Sequence, residues 1–422
     1  LMKALTPGRQ DAKTPGAAAF AGLALWRRCA LTVKATALAV VLVFVGCATT
    51  STPSTALTGD ILVDGPRMAA EGPARDRVLW QYRTAAAAMR QGKFAEARPL
   101  LDDALLTLQG IYGPDAEARK SRGLFQRESR KTFIGEPYER SMAYFYRGVL
   151  YWRDGELDNA RACFRSAQFE DSDTADKTYA GDWVLPDYLE ALATAKLGGD
   201  GTDALQRAQA NVRNASLPPL NPAVNTLFIV EFGPGPVKYA TGNYGEQLRF
   251  RTRPSSVKSA RLSLNNLNIP IAPVDDVNFQ ATTRGGRVMD HILANQAVFK
   301  SATDSFGDAA IVSGAVLAGT GNRHSTANRV GLGLLAAGLV SKIVSSAASP
   351  EADVRMWDNL PQWLSFAQLI LPPGAHTATI QFLDAAGKPV EKLTKTVSFT
   401  VPAGGPDQVI FVSDTSTTPQ TQ

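Results

Sequence analysis

The apolar periodicity changes near the middle of this chain, and that change limits what it can fold into. Over residues 77–212 apolar and small side chains recur at helical spacing, and from about Asn225 they alternate with period two. A segment patterned for a helix does not sit stably as a strand, so the chain is expected to be α+β, with helices first and a sheet after them. Within the helical part a unit recurs. In "YFYRGVLYWRDGELDNARACFRSA" (144–167), Tyr144, Gly148 and Tyr151 share one face of a first helix. Gly155 makes a turn, and Ala160, Phe164 and Ala167 face back from a second helix. Small residues at 148 and 160 let the two helices approach closely, while the aromatics fill the space around them.

This spacing resembles a tetratricopeptide repeat, with Ser172 where that pattern usually has proline. Shifted back by 63 residues, the unit returns as Ala85, Ala88, Gly92, Ala97, Leu101 and Ala104. Shifted forward by 44, it returns more faintly as Tyr188, Leu192, Ala195, Gly199, Ala204 and Ala208. The expected array spans 77–215 and is irregular, with insertions at about 110–137 and 170–186. The resemblance implies stacked helix pairs that offer a concave surface to a peptide or a partner helix. The first insertion carries a basic run, with Arg119, Lys120, Arg122, Arg127, Arg130 and Lys131. A solvated face is the plain expectation for such a run, and contact with a partner or with anionic lipid the sharper one. The second insertion carries the acidic "EDSDTAD" (170–176). Cys163, between Ala162 and Phe164, is expected to act as a small buried hydrophobe.

In the second half, "TLFIVEF" (226–232), "QLRFRT" (247–252), "SARLSLN" (259–265), "HTATIQFL" (376–383), "LTKTVSFTV" (393–401) and "DQVIFVS" (407–413) read as strands. Gly and Pro mark the turns between them. Pro372-Pro373-Gly374 resembles the entry turn of an immunoglobulin-like or surface-layer-associated sandwich strand. An antiparallel β-sandwich over 220–413 is therefore expected. Two apolar, small-residue stretches, 309–321 and 330–348, predict a helical hairpin inserted between the strand groups. Gly333, Ala337, Ser341 and Ser345 form a smooth stripe on its second helix, suited to close packing on its own protein, on another copy or at a membrane. Thirteen residues are too few to span a bilayer, and Lys342 interrupts the second helix. Residues 414–422 are expected to be a disordered tail.

The N-terminal region reads as an address. "RRCALTVKATALAVVLVFVGC" (27–47) has two arginines, then an uncharged run over 35–46 that ends at Gly46-Cys47. It resembles a bacterial lipoprotein leader, in which the cysteine is acylated and becomes the first mature residue. Gly46 fits that pattern well, Val45 is tolerable and Phe44 is unusual. Residues 1–26 read as an over-long start. A Ser/Thr/Pro-rich tether, 48–76, is expected to follow. Ala48 lacks the Asp-type inner-membrane signal, so the resemblance implies lipidation at Cys47 and the periplasmic face of the outer membrane.

Little in the sequence points to a reaction. The net charge is +5, and Lys3, Arg9, Lys13, Arg27 and Arg28 lie upstream of Cys47, so a mature chain is nearly neutral and carries no nucleic-acid signal. Three cysteines, Cys29, Cys47 and Cys163, leave no disulfide framework and no structural zinc set. His291, His324 and His376 are not at metal-ligand spacing, and no HExxH, GxSxG or phosphate loop occurs. Neither catalysis, a metal nor a cofactor is expected.

Three segments, "GEPYERSMAYFYRGVLYWRDGELDNARACFRSA" (135–167), "EFGPGPVK" (231–238) and "ADVRMWDNLPQWLSFAQLILPPGAHT" (352–377), together resemble a group of bacterial envelope lipoproteins that join tetratricopeptide-like helices to a β-rich half. The resemblance implies a lipid-anchored scaffold that holds another envelope protein or peptide. A second expectation is a structural, oligomerising component, or a regulator of cell-wall synthesis, acting through the 309–348 hairpin.

Overall fold

Gly92, Gly155 and Gly198 each close a helix in the same way. Their φ angles are +74°, +80° and +78°, the left-handed conformation that a side chain resists. The computed structural model describes residues 56–111, 131–172, 178–213, 215–283 and 351–422. The three glycines follow α2 (Arg77–Arg90), α4 (Pro137–Arg153) and α6 (Val184–Lys196). Each leads into a second helix: α3 (Phe94–Ile111), α5 (Leu157–Asp171) or α7 (Thr202–Asn211). The third turn is longer, so Gly198 takes the left-handed position rather than the expected Gly199. In the middle pair Ala160, Phe164 and Ala167 are fully buried and Tyr144 nearly so. A Cβ on Gly148 would lie 2.6 Å from the Phe164 ring, so the missing side chain is what lets α4 and α5 meet. Ala85, Ala88, Ala97, Leu101 and Ala104 are buried at the matching places of the first pair, and Ala204 and Ala208 in the third.

The helices begin earlier than the sequence indicates. Residues 61–71, expected to be tether, form α1 (Ile61–Glu71). Asp60 caps it by accepting from Leu62 N, and the buried Asp64 accepts from Thr58 N and Gly59 N. Gly65 seats α1 on α2, since a Cβ there would collide with the Thr84 hydroxyl. "Asp-Gly-Pro" reads as a turn when taken alone. Here the glycine is the contact point and Pro66 is carried inside the helix.

The strands form two main sheets and a small hairpin. The first sheet has the order β10 (Gln408–Ser413), β1 (Thr226–Pro234), β7 (Pro361–Leu369), β6 (Asp275–Asp276), and the second the order β11 (Gln420–Thr421), β9 (Lys395–Val401), β8 (Gly374–Leu383), β4 (Ser259–Leu264), β5 (Leu267–Ile271); β2 (Val237–Thr241) pairs with β3 (Gln247–Arg251). A short helix, α8 (Val277–Thr282), follows β6. The sheets are mixed and not wholly antiparallel as expected, because β1 runs parallel to β10 and β11 parallel to β9. Parallel pairing is open to β10 because a long stretch of chain separates it from β1.

Alternate residues of β1 enter different cores. Phe228, Val230 and Phe232 pack with Leu262, Ile380, Phe382 and Phe399 of the second sheet. Leu227 and Ile229 join the helical core, with Tyr146, Leu150 and Tyr188. The first sheet is thus covered on both sides, by helices on one and by the second sheet on the other. That is why β1 and β10 are almost continuously apolar, while β4 and β9 alternate. The helical and β-rich segments, expected as separate domains over 77–215 and 220–413, share this core within one compact unit, Thr58–Gln422.

The C-terminal tail is also ordered, contrary to expectation. β11 extends the second sheet alongside β9, and Gln422 bonds both the amide and the carbonyl of Phe411. Thr417 N and Gln420 Nε2 both donate to the Arg90 carbonyl, at 3.2 and 2.7 Å, which satisfies an otherwise orphaned group at the end of α2. The expected hairpin 309–348, with Gly333, Ala337, Ser341 and Ser345, and Cys47 itself lie outside the described residues.

Cys163 is partly buried on α5 and packs against the helical core. Burial pushes its thiol up to about 12. At pH 8 it is therefore protonated, and a thiol reagent should label it at least about tenfold more slowly than in the urea-unfolded chain. A chain carrying Cys29→Ser and Cys47→Ser reports this site alone. Equal labelling rates in the folded and unfolded chains would remove the buried-hydrophobe reading.

Candidate functional site

The first helix of each pair lies inside the molecule. In α4 every residue from Pro137 to Leu150 is buried, and in α6 every residue from Val184 to Ala193. The second helices are amphipathic, and α7 buries only Ala204 and Ala208. What covers the first helices is the chain's own first sheet. The Tyr188 ring lies 4.7 Å from Phe366, and its hydroxyl bonds Gln368 Oε1 at 2.9 Å. Tyr146 meets Phe411 edge-on, and Trp357 stacks on Tyr82 at 4.5 Å. The inner face, where the repeat resemblance puts a partner, is therefore occupied from within.

Charged groups are buried at this internal interface and are held by hydrogen bonds. Glu231 on β1 accepts from Arg90 Nε at 2.5 Å and from the Tyr146 hydroxyl at 2.6 Å. Burial, and after it the Glu231 carboxylate, push the Tyr146 phenol well above its usual range, so it stays a donor. Glu139 on α4 accepts from Lys238 Nζ (2.5 Å) and from the amides of Glu136 and Trp357. Asp275 on β6 caps α6 by accepting from Val184 N and Leu185 N, both at 2.8 Å. Burial raises the Asp275 carboxyl to about 7, against the pull of those two amides. These groups tie sheet to helices.

The outer side of the array is open. A groove of about 500 Å³ runs between the second and third helix pairs, lined by Arg165, Phe169, Glu190, Thr194, Asp203 and Arg207 among others. Its floor is a bridge across three helices. Glu190 on α6 accepts from Arg165 of α5 (2.6 Å) and Arg207 of α7 (3.0 Å), and Arg207 also reaches Asp187 (2.9 Å). Burial raises the Asp187 carboxyl to about 6, although the Arg207 hydrogen bond pulls it down. Phe169 is 75% exposed at the groove. Five positions beyond Phe164, it falls off the apolar stripe of α5, which is the signal that could have marked it in the sequence.

The structure brings the repeat-packing set together, with Tyr144, Gly148, Tyr151, Gly155, Ala160, Phe164 and Ala167 all within one helix pair. Of the basic run, Arg119, Lys120, Arg122, Arg127 and Arg130 lie outside the described residues. Lys131 is buried and its carbonyl accepts from Arg355, so it is not the exposed contact expected of it. Among the described residues no His, Cys, Asp and Glu group could hold a metal, and no helix is long and apolar enough to cross a membrane. His376 lies 2.8 Å from the Pro372 carbonyl and stacks on Phe399. No family model, no curated protein and no solved structure matches this chain.

Proposed function

We propose that this protein is a lipid-anchored scaffold of the bacterial envelope, attached through Cys47 to the periplasmic face of the outer membrane. In this reading the helix pairs are tetratricopeptide-like, the two main sheets form a β-sandwich, and the chain holds a partner polypeptide without catalysing a reaction. The observation that carries the proposal is Phe169. A large aromatic ring exposed in a groove, between fixed charges of both signs, suits a segment that brings an apolar residue with polar flanks. The partner is assigned to this outer groove because the inner face of the array is taken by the first sheet.

A photo-cross-linker at Thr194, which also lines the groove, tests this in living cells. It should yield one defined adduct in the envelope fraction, reduced about tenfold or more in Phe169→Ser, a change expected of a central aromatic anchor. Cys47→Ala should abolish both fatty-acid labelling and membrane retention. An adduct unchanged by Phe169→Ser, or a Cys47→Ala chain still labelled by fatty acid, would overturn the corresponding half of the proposal.

A further inference from the structure

Two of the segments singled out in the sequence, the Gly-Pro-Gly-Pro turn after β1 and the Asp-Asn-Leu-Pro segment before β7, meet in space. Gly235 N donates to the Leu360 carbonyl at 2.9 Å, and a Cβ on Gly235 would lie 2.7 Å from that oxygen. Only glycine allows so close an approach. Beside this junction is a cleft of about 330 Å³, completed by Ser413–Thr415 at the end of β10, by Arg253, and by Arg90 from the helical side. It is separate from the outer helix groove and does not depend on the function proposed for that groove.

The polar groups of the cleft are not mutually satisfied. Arg253 is held by two carbonyls only, with Nε on Gly235 O (3.1 Å) and Nη2 on Asp358 O (3.0 Å). No carboxylate pairs with it among the described residues. The next residue, Asn359, donates its Nδ2 to the Arg83 carbonyl at 2.9 Å, and its Oδ1 is buried with no partner among the described residues. Arg90 is already matched by Glu231, and none of its hydrogen bonds goes to a residue of the cleft. Asp414 is engaged by the Gly233 amide at 2.9 Å and is pushed up by burial. Among the described residues, the cleft is therefore lined by one guanidinium without a counter-charge and by one residue whose buried amide oxygen has no donor. The backbone of consecutive residues, Asp358 and Asn359, fixes the two together.

We propose that this cleft binds the C-terminal end of a peptide. A terminal carboxylate supplies the counter-charge that Arg253 lacks, accepting from its remaining N–H groups, and the amide N–H of the same last residue supplies the donor that Asn359 Oδ1 lacks. The two groups are covalent neighbours in the ligand, and in the protein their counterparts are linked through Asp358, whose carbonyl holds Arg253 and which precedes Asn359. A simple anion satisfies only the first, and an internal peptide segment only the second.

The test uses the purified full chain and N-acetyl-alanyl-alanine as probe, with its C-terminal amide, acetate and inorganic phosphate as comparisons, read by titration calorimetry. The free acid should bind at least about tenfold more tightly than the amide or either anion, the loss expected when a charge-assisted pair is removed. Arg253→Gln should abolish the preference for the acid, and Arg253→Lys should restore part of it. No binding of the acid to the wild-type chain, equal binding of acid and amide, or equal binding of acid and phosphate each overturns the proposal. So does an Arg253→Gln chain that folds, as seen by circular dichroism, and keeps the preference. If Arg253→Gln does not fold, the wild-type comparison of acid, amide and phosphate decides alone.

Discussion

Glu231→Leu is expected to lower the unfolding free energy by about 3–5 kcal/mol, because it leaves a buried guanidinium without its counter-charge. Glu231 is fully buried in the central strand, and the Arg90 side chain is only 10% exposed. The substitution also strips the buried Tyr146 hydroxyl of its acceptor. Unfavourable desolvation of a lone Arg90 then far outweighs any gain from a more apolar strand. The double variant Arg90→Met with Glu231→Leu should recover much of the loss, since an ion pair replaced by apolar groups of similar size is often near neutral. Recovery should stop short of wild type by about 1–2 kcal/mol, the cost of the orphaned Tyr146 hydroxyl. Urea titration of the three chains measures all of this. A loss below about 1 kcal/mol in the single variant would mean that Arg90 escapes to water, and the interface would then not be sealed as described.

Gly148→Leu sets two effects against each other at the contact between α4 and α5. Removing a glycine from a helix interior gains about 1 kcal/mol of helix propensity. Against that, the first added atom would already lie 2.6 Å from the Phe164 ring, which is fully buried and tilts against Phe145 and Trp152. Overpacking of this kind costs about 3 kcal/mol, so a net loss of about 2 kcal/mol is expected. The second substitution that separates this account from general disruption is Phe164→Ala. Alone it should destabilise by about 3–5 kcal/mol, as a cavity does. Combined with Gly148→Leu it should cost less than the two losses added, because the leucine fills the space the ring has left. Strict additivity in denaturation midpoints would show that residues 148 and 164 do not share that space.

The helix pairs were legible in the sequence because what forms them is local. Gly155 with its left-handed turn, small residues at 148 and 160 and the aromatics between them all fall within 24 residues, and their spacing is the contact itself. Strands β4 and β9 were legible for a similar reason, since one face of each is buried and one is wet, and the sequence alternates accordingly. Other elements depend on what covers them. β7 begins with Pro361 and mixes Gln362, Ser365 and Gln368 with its apolar residues, so it has no clean period. It is a strand because β1 and β6 pair with it on either side. α1 and β11 exist through Thr84 and the Arg90 carbonyl, which no nearby residue announces.

The sites divide in the same way. The pairing of Gly148 with Phe164 is written in their spacing. Which face of the array stays open is not, because the sheet that covers the inner face comes from residues 226–234, 361–369 and 408–413, far along the chain. Likewise the Gly-Pro-Gly-Pro turn and the Asp-Asn-Leu-Pro segment are each visible in sequence. Their junction, at the cleft that Arg253 and Asn359 both line, is set by strand register between β1 and β7, where Pro234 faces Pro361. Short-range chemistry determined the helices, their turns and their tight contacts. Burial on both sides of the first sheet, a property of the assembled layers, decided which charges are paired and which groups remain free.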